Sequence, residues 1–213
     1  SSAASDVYKR QEKDGIKRTV TLDAQYRTHP LLGEFASRNF YDRYNEGYRS
    51  PLGAKYFTQK LNGIEDSAAV WIHVPNEAGK EQRLESGSRD REAEAKIIAK
   101  RLSDWIKSDE STADYMKTLT HDDRQPGLSF GVISFYKAQV FAVYKALQKY
   151  GITERAQDGT WQICQEYRFL DNGEERLRIG TVDAFQGMEF DIVFLSMVRS
   201  QDMNALSLIH ISE

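Results

Sequence analysis

Cysteine is nearly absent from this 213-residue chain. Cys164 stands alone, so no intrachain disulfide can form, and a reducing compartment is the simplest fit. The expected location is therefore intracellular, in the cytoplasm or, in a eukaryote, the nucleus. The four histidines (His29, His73, His121, His210) are scattered without metal-ligand spacing, so no metal site of the chain's own is expected. No apolar run approaches the roughly 20 residues of a membrane span and no signal-peptide pattern opens the chain, so no membrane partner is expected. A phosphate-binding P-loop is also missing. Gly79-Lys80 is followed by Glu81, and no glycine precedes it at the required spacing. Finally, no sign of charge dominates: Lys+Arg 29 against Asp+Glu 32 leaves a net charge of −3. That excludes a bulk electrostatic nucleic-acid binder, so any such contact has to come from a local groove, with hydroxyls and backbone amides carrying much of it.

What is present is globular. Hydrophobic residues make up 40% and charged residues 29%, enough chain for one α/β domain with a sizeable core. Apolar and β-branched runs predict strands near 16–22, 70–74, 128–134, 177–182 and 192–198, with 128–134 and 192–198 central and adjacent. The run from Ile192 to Val198 is almost unbroken apolar, which reads as a strand buried on both faces. His73 falls within the 70–74 run, as a core or edge histidine. Helices are expected from Pro30 to about Tyr41 with Leu32, Ala36 and Phe40 on the apolar face, from Asp90 to Lys107, and from Lys137 to Tyr150, closed by Gly151. Residues 42–69 and 108–127 read as loops, and the alternation from Trp161 suggests a hairpin over 161–179 that turns at Asp171-Asn172-Gly173. Residues 1–14 and 204–213 fit no pattern and read as disordered or non-native tails around a domain spanning 15–203.

The chain is organised around Arg178-Ile-Gly-Thr-Val-Asp-Ala-Phe-Gln-Gly-Met-Glu-Phe-Asp-Ile-Val-Phe-Leu-Ser-Met-Val-Arg-Ser200. Two strand runs here enclose a polar loop, and loops at the ends of buried strands are where open α/β sheets hold ligands. On residue chemistry alone a second reading stands beside that one, in which Asp183 caps a helical turn, Gly187 ends it with a positive φ, and Phe185 is core. The stretch from Thr181 resembles motif V of superfamily 1 helicases, in the branch that includes RNA-decay and replication-associated helicases. Gln25-Tyr26-Arg27-Thr28-His29-Pro30 is similar to that branch's Gln-Tyr-Arg-Met-His-Pro signature, with Thr28 in place of methionine. Gly131-Val-Ile-Ser-Phe-Tyr-Lys-Ala-Gln139 resembles motif IV, with Ser134-Phe135-Tyr136 where Thr-Pro-Tyr is usual.

The resemblance covers about residues 20–200, with three motifs in the family's order. It implies an α/β, RecA-like three-layer domain with a mainly parallel sheet and helices on both faces. It further implies the second motor domain of an ATP-dependent helicase, cut before motif VI, which supplies one wall of the ATP cleft and part of the single-strand groove and is inactive as an ATPase alone. By the same resemblance Arg27 is the catalytic residue, reaching the γ-phosphate, and Tyr26 stacks on adenine. Gln25, Tyr26, Arg27, Gly187 and Glu189 then face the nucleotide. Glu189 is left with two roles, accepting from ribose hydroxyls or orienting a group near the γ-phosphate. Ser134, Tyr136, Gln139, Thr181, Asp183 and Gln186 face nucleic acid. The implied cofactors are ATP and Mg2+, with the Mg2+ ligands on a first motor domain, and the implied partners are that domain and single-stranded DNA or RNA. Two other classes remain: a binding or interaction module that kept the fold and lost the motor, and an unrelated doubly wound α/β enzyme.

Overall fold

A computed structural model of the chain describes residues 22–57, 61–65, 67–108 and 127–199. The expected strand at 16–22 (Leu22 apart), both tails and nearly all of the 108–127 loop lie outside them. The chain divides into two compact units, Ser1–Thr58 and Gln59–Glu213.

In the first unit, helix α1 (Pro30–Ala36) starts as the sequence suggests. Pro30 takes the first helical position, and His29 caps the turn by accepting the Leu31 N–H on Nδ1 at 3.2 Å. The helix continues as a π-turn, Ser37–Tyr41, and a short 3-10 turn, Asp42–Tyr44. Its expected apolar face is not buried: Leu32 and Phe40 are exposed, and the interior positions are Gly33 and Ser37. A hydrogen-bond pattern explains this. Ser37 Oγ donates to Asp42 Oδ1 at 2.9 Å and accepts the Tyr48 N–H at 2.9 Å, so this segment packs on its own returning loop through a hydroxyl.

The second unit is built on a three-stranded parallel sheet of β3 (Phe130–Ser134), β6 (Leu177–Thr181) and β7 (Ile192–Ser196), in the order β6–β3–β7. Two short antiparallel pairs accompany it: β1 (Gln82–Arg83) with β2 (Arg89–Asp90), and β4 (Thr153–Arg155) with β5 (Trp161–Ile163). Helices α2 (Glu92–Ile106) and α3 (Lys137–Gln148) pack on one another and bury their stripes against the sheet. α2 contributes Ile98, Leu102, Trp105 and Ile106, and α3 contributes Val143, Ala146 and Leu147. Gly151, at φ +69, follows α3 in the left-handed region, as its helix-ending role requires. No helix among the described residues is long and apolar enough to cross a membrane.

The register fixes which residues share a face. Phe130, Leu177 and Ile192 are aligned, as are Val132, Ile179 and Phe194. These rows lie under the helices, where Trp105 stacks on Phe194 with centroids 5.4 Å apart. Strand β7 does adjoin β3, but it lies at an edge of the described sheet, as β6 does, and Val193 and Leu195 are 50% and 54% exposed. Burial on both faces therefore holds for β3 and not for β7. The expected strand at 70–74 has no regular secondary structure and no ladder, and Trp71 is 80% exposed. Its last carbonyls take a side chain instead: Arg91 Nη2 donates to Val74 O at 2.8 Å and Pro75 O at 3.1 Å. His73 is exposed rather than core. The hairpin is also relocated. β5 pairs back to β4, and residues 165–168 form a helical turn, α4 (Gln165–Arg168). The Asp171–Gly173 turn is present but closes a single Phe169–Glu175 bridge.

Candidate functional site

In the first unit the segment Gln25–Pro30 is organised by one side chain. Gln25 Oε1 accepts the N–H groups of Arg27 and Thr28 at 2.9 and 2.8 Å. Its Nε2 donates to Thr28 O at 2.9 Å and Ser50 Oγ at 2.6 Å. Gln25 was expected to touch nucleotide; its amide oxygen and nitrogen are hydrogen-bonded within the turn and across to Ser50, so in this structure its side chain orders the segment. The approach is close enough that a Cβ on Gly33 would collide with Ser50 Oγ and with Gln25 Nε2, so a larger residue there would have to displace the Gln25–Ser50 contact. With the turn pinned from inside, Tyr26 points outward, its side chain 61% exposed, and Arg27 is exposed beside it.

In the second unit the C-terminal edge of the sheet ends in a row of hydroxyls: Thr181, Ser134 and Ser196 are aligned across the three strands. This is the edge at which parallel sheets hold ligands. Two of the hydroxyls are interior. Ser134 Oγ accepts the Tyr136 N–H at 3.2 Å and donates to Ser196 O at 3.3 Å. Gln139, 0% exposed, accepts the Arg91 N–H at 2.8 Å and donates to Ser196 Oγ at 2.9 Å. Ser196 Oγ donates to Glu94 at 2.8 Å. Ser134 and Gln139 were expected to face a bound strand; here burial and internal hydrogen bonds commit them to joining α2, α3 and the sheet. Tyr136 is half-buried, Thr181 is half-buried, and Asp183 and Gln186 are exposed.

The loop after β6 has a clear construction. A 3-10 turn, Val182–Phe185, is followed by Gln186 at φ −58, ψ 125 and Gly187 at φ +80, with the Met188 N–H returning to Phe185 O at 3.1 Å. These are the angles of a type II turn, whose third residue favours glycine. Asp183 makes no side-chain cap here; the residue in the cap position is Thr181, also without one. Phe185 and Phe190 bracket the tip with centroids 5.5 Å apart. Both lie over Gly131 of β3, where a Cβ would come within 2.8 Å of the Phe185 ring and 3.3 Å of the Phe190 ring. A Cβ on Gly180 would meet Ala184 Cβ at 2.9 Å. The two strand glycines thus let the rings seat, and the rings leave Gln186, Gly187, Met188 and Glu189 exposed. At Gly187 nothing lies within 4 Å of where a side chain would begin.

At the end of β7 the backbone is strained. Val198, fully buried, sits at φ +67, a region that β-branched residues avoid. The Arg199 N–H closes on Met197 O at 2.7 Å, a γ-turn, while the Val198 N–H donates to Glu94 Oε2 at 3.1 Å. The Arg199 guanidinium is held protonated above its usual range by a hydrogen bond with Tyr136 and by the charge of Glu81.

Sequence reasoning did not single out Gly131, Gly180, Glu94, Ser196 or Arg199. The glycines carried a signal, since glycine inside a strand marks a close approach. Glu94 carries only the signal of an acid in the first turn of a helix, which suits the helix start by itself. No cluster of three or more potential metal ligands occurs among the described residues.

The model of the family described as AAA domain matches residues 4–212. The chain is similar to the putative helicase mov-10-B.2 of Danio rerio, at 26% identity over 92% of this chain and 17% of that protein. It is similar to the regulator of nonsense transcripts 1 homolog of Arabidopsis thaliana, at 26% identity over 97% of this chain and 14% of that protein. It also resembles helicase sen1 of Schizosaccharomyces pombe, at 24% identity over 95% of this chain and 10% of that protein. The chain thus spans less than a fifth of the length of these relatives. An α/β unit on a parallel sheet and a family model that takes in nearly every residue lead to one conclusion: the chain belongs to the AAA domain family, and the relatives it is similar to are helicases and regulators of nonsense transcripts.

Proposed function

We propose that this chain serves as the second motor domain of an ATP-dependent superfamily 1 helicase, contributing one wall of an ATP cleft and part of a groove for single-stranded DNA or RNA. The observation that carries the reading is the Gln25 turn, which leaves Tyr26 and Arg27 directed outward. An aromatic face can hold a base without reading it closely, and a guanidinium offers fixed planar donors to phosphate oxygens. The exposed backbone at Gly187, with open space around it, suits close approach of a ligand in the same way. ATP, bound with Mg2+, supplies phosphoryl transfer, and Arg27 would stabilise the charge that develops there. Mg2+ ligation and the P-loop belong in this reading to a first motor domain, so the isolated chain turns over no ATP. Thr181, Asp183, Gln186 and Tyr136 are the strand-facing groups, around a sheet edge whose interior hydroxyls hold it in shape.

The test is Arg27→Ala in the full-length protein. Turnover should fall about 10³-fold or more, in line with arginines in this role, while nucleotide affinity changes little. An unchanged turnover number removes Arg27 from the reaction and the reading with it.

A further inference from the structure

A groove of about 780 Å³ lies outside the site described above, between the outer face of α3 and the β1–β2 pair. Its lining carries five cationic side chains against two carboxylates, on a chain whose net charge is −3. Lys137, Phe141, Lys145 and Lys149 stand at four-residue intervals, which puts them in one stripe along the helix. Lys96 and Arg155 flank it. The stripe spans about 18 Å at the helical rise of about 1.5 Å per residue.

The groove is held open by design of the fold rather than by chance contact. Ser88, at the end of the β1–β2 turn, accepts the Ala138 N–H on its hydroxyl at 3.1 Å, which ties that pair to the start of α3. On the far side Trp161 is stacked on Tyr144 and covered by Arg155, 4.1 Å from the ring centroid. Among the described residues Lys137, Lys145 and Lys149 form no close ion pair, although the Glu92 carboxyl, held below its usual range first by its hydrogen bond to Lys96, also feels the charges of Lys145 and Lys149. Lys96 pairs with Glu92 at 3.3 Å, an exposed pair of the kind that contributes little and exchanges readily. Phe141 is exposed between Lys137 and Lys145.

We infer that this groove is a second contact for single-stranded nucleic acid, a track that takes the strand's phosphates after it leaves the C-terminal edge of the sheet. The inference rests on the strand-binding reading proposed above and deepens it. Three features favour a strand over an acidic peptide. The track begins at Lys137, directly after Tyr136 at the sheet edge, so one continuous ligand can serve both. An exposed aromatic ring amid cations suits a base above its phosphates, the combination used by sequence-tolerant single-strand grooves. And the stripe's length of about 18 Å lets several successive phosphates of one strand meet its cations in turn.

The experiment compares the full-length protein with its Lys145→Gln/Lys149→Gln variant, using labelled oligo-dT and oligo-U in a series of increasing lengths. The shortest strands, which reach only the sheet edge, should bind both proteins alike. For the longest strands the variant should lose about tenfold in affinity at 0.15 M salt, and its slope of log K against log salt should shrink by about 1.4, two phosphate contacts' worth. Oligo-dT and oligo-U should behave alike, because phosphates are read. Phe141→Ala should reduce long-strand affinity without changing the salt slope. An unchanged length dependence and slope in the lysine variant overturns the track. Displacement of polyglutamate by neither oligonucleotide, with polyglutamate binding lost in the variant, overturns it in favour of a protein partner. Failure of the wild-type protein to bind any strand sinks the underlying reading as well.

Discussion

The segments Gln25–Pro30 and Ser134–Gln139 look alike on paper: each is a short polar motif leading into a helix, and each contains one glutamine. They use it in opposite ways. Gln25 satisfies the backbone of its own turn, within three residues, and reaches across only to Ser50. Gln139 is fully buried and joins positions 48 and 57 residues away, Arg91 and Ser196. In both segments the glutamine orders the scaffold, and the groups left for a ligand are its neighbours. The difference is reach. One glutamine shapes an exposed turn, and the other fastens two helices to a sheet.

The largest effect should come from separating these two roles. Gln139→Ala leaves the Arg91 N–H and the Ser196 hydroxyl short of partners in the interior, where an unmet buried donor or acceptor costs about 1–3 kcal/mol. A loss of about 3 kcal/mol in unfolding free energy by urea titration is expected. Gln25→Ala releases groups that water can reach and should lose only about 1 kcal/mol. Equal losses would break the comparison.

Gly131 sharpens it from the side of the motif V loop. Its replacement by alanine drives a Cβ into the Phe185 and Phe190 rings. Overpacking of this kind costs about 1–3 kcal/mol, and the rings, being side chains, yield before the strand does. Gly131→Ala should therefore displace the Gln186–Glu189 tip and weaken single-strand binding by the full-length protein more than the stability loss alone implies. A variant that is less stable yet binds strand as wild type would show that the tip is not held by the rings.

Much of this was legible in the sequence, and the legible part has a common cause. The sheet strands at 130–134, 177–181 and 192–196 and helices α2 and α3 have their own periodic or continuous apolar signal, so local pattern suffices. The strand expected at 70–74 has β-branched and aromatic residues too, but a strand also needs a partner, and Val74 and Pro75 give their carbonyls to Arg91. The β4–β5 pairing was missed because alternation in 161–169 marks a strand without naming its partner. For the site, motif residues could be enumerated but not sorted. Whether a glutamine or serine faces solvent or the interior is decided by contacts tens of residues away, as at Gln139 and Ser134. The strained turn at Val198 had no local signal, because nothing about valine suggests a positive φ.

The smallest effect on stability should come from Tyr26, and there the contrast is most useful. Its ring is largely exposed and supports no packing that folding depends on, so Tyr26→Ala should leave the unfolding free energy within about 0.5 kcal/mol of wild type. Stacking of a base on an aromatic ring is worth about 1–3 kcal/mol, so the same change should weaken nucleotide binding by the full-length protein roughly 5- to 150-fold. Tyr26→Phe keeps the ring face and should bind nearly as wild type. Gln25→Ala should fall between them, because the ring survives but the turn that presents it is no longer pinned. Titration of a fluorescent adenine nucleotide into all three variants separates the possibilities. If Tyr26→Ala destabilises the protein and Gln25→Ala leaves affinity untouched, then Tyr26 is a packing residue and the turn presents nothing. If affinity follows the order Phe, Gln25→Ala, Ala while stability falls only for Gln25→Ala, the turn and the ring act as presenter and presented.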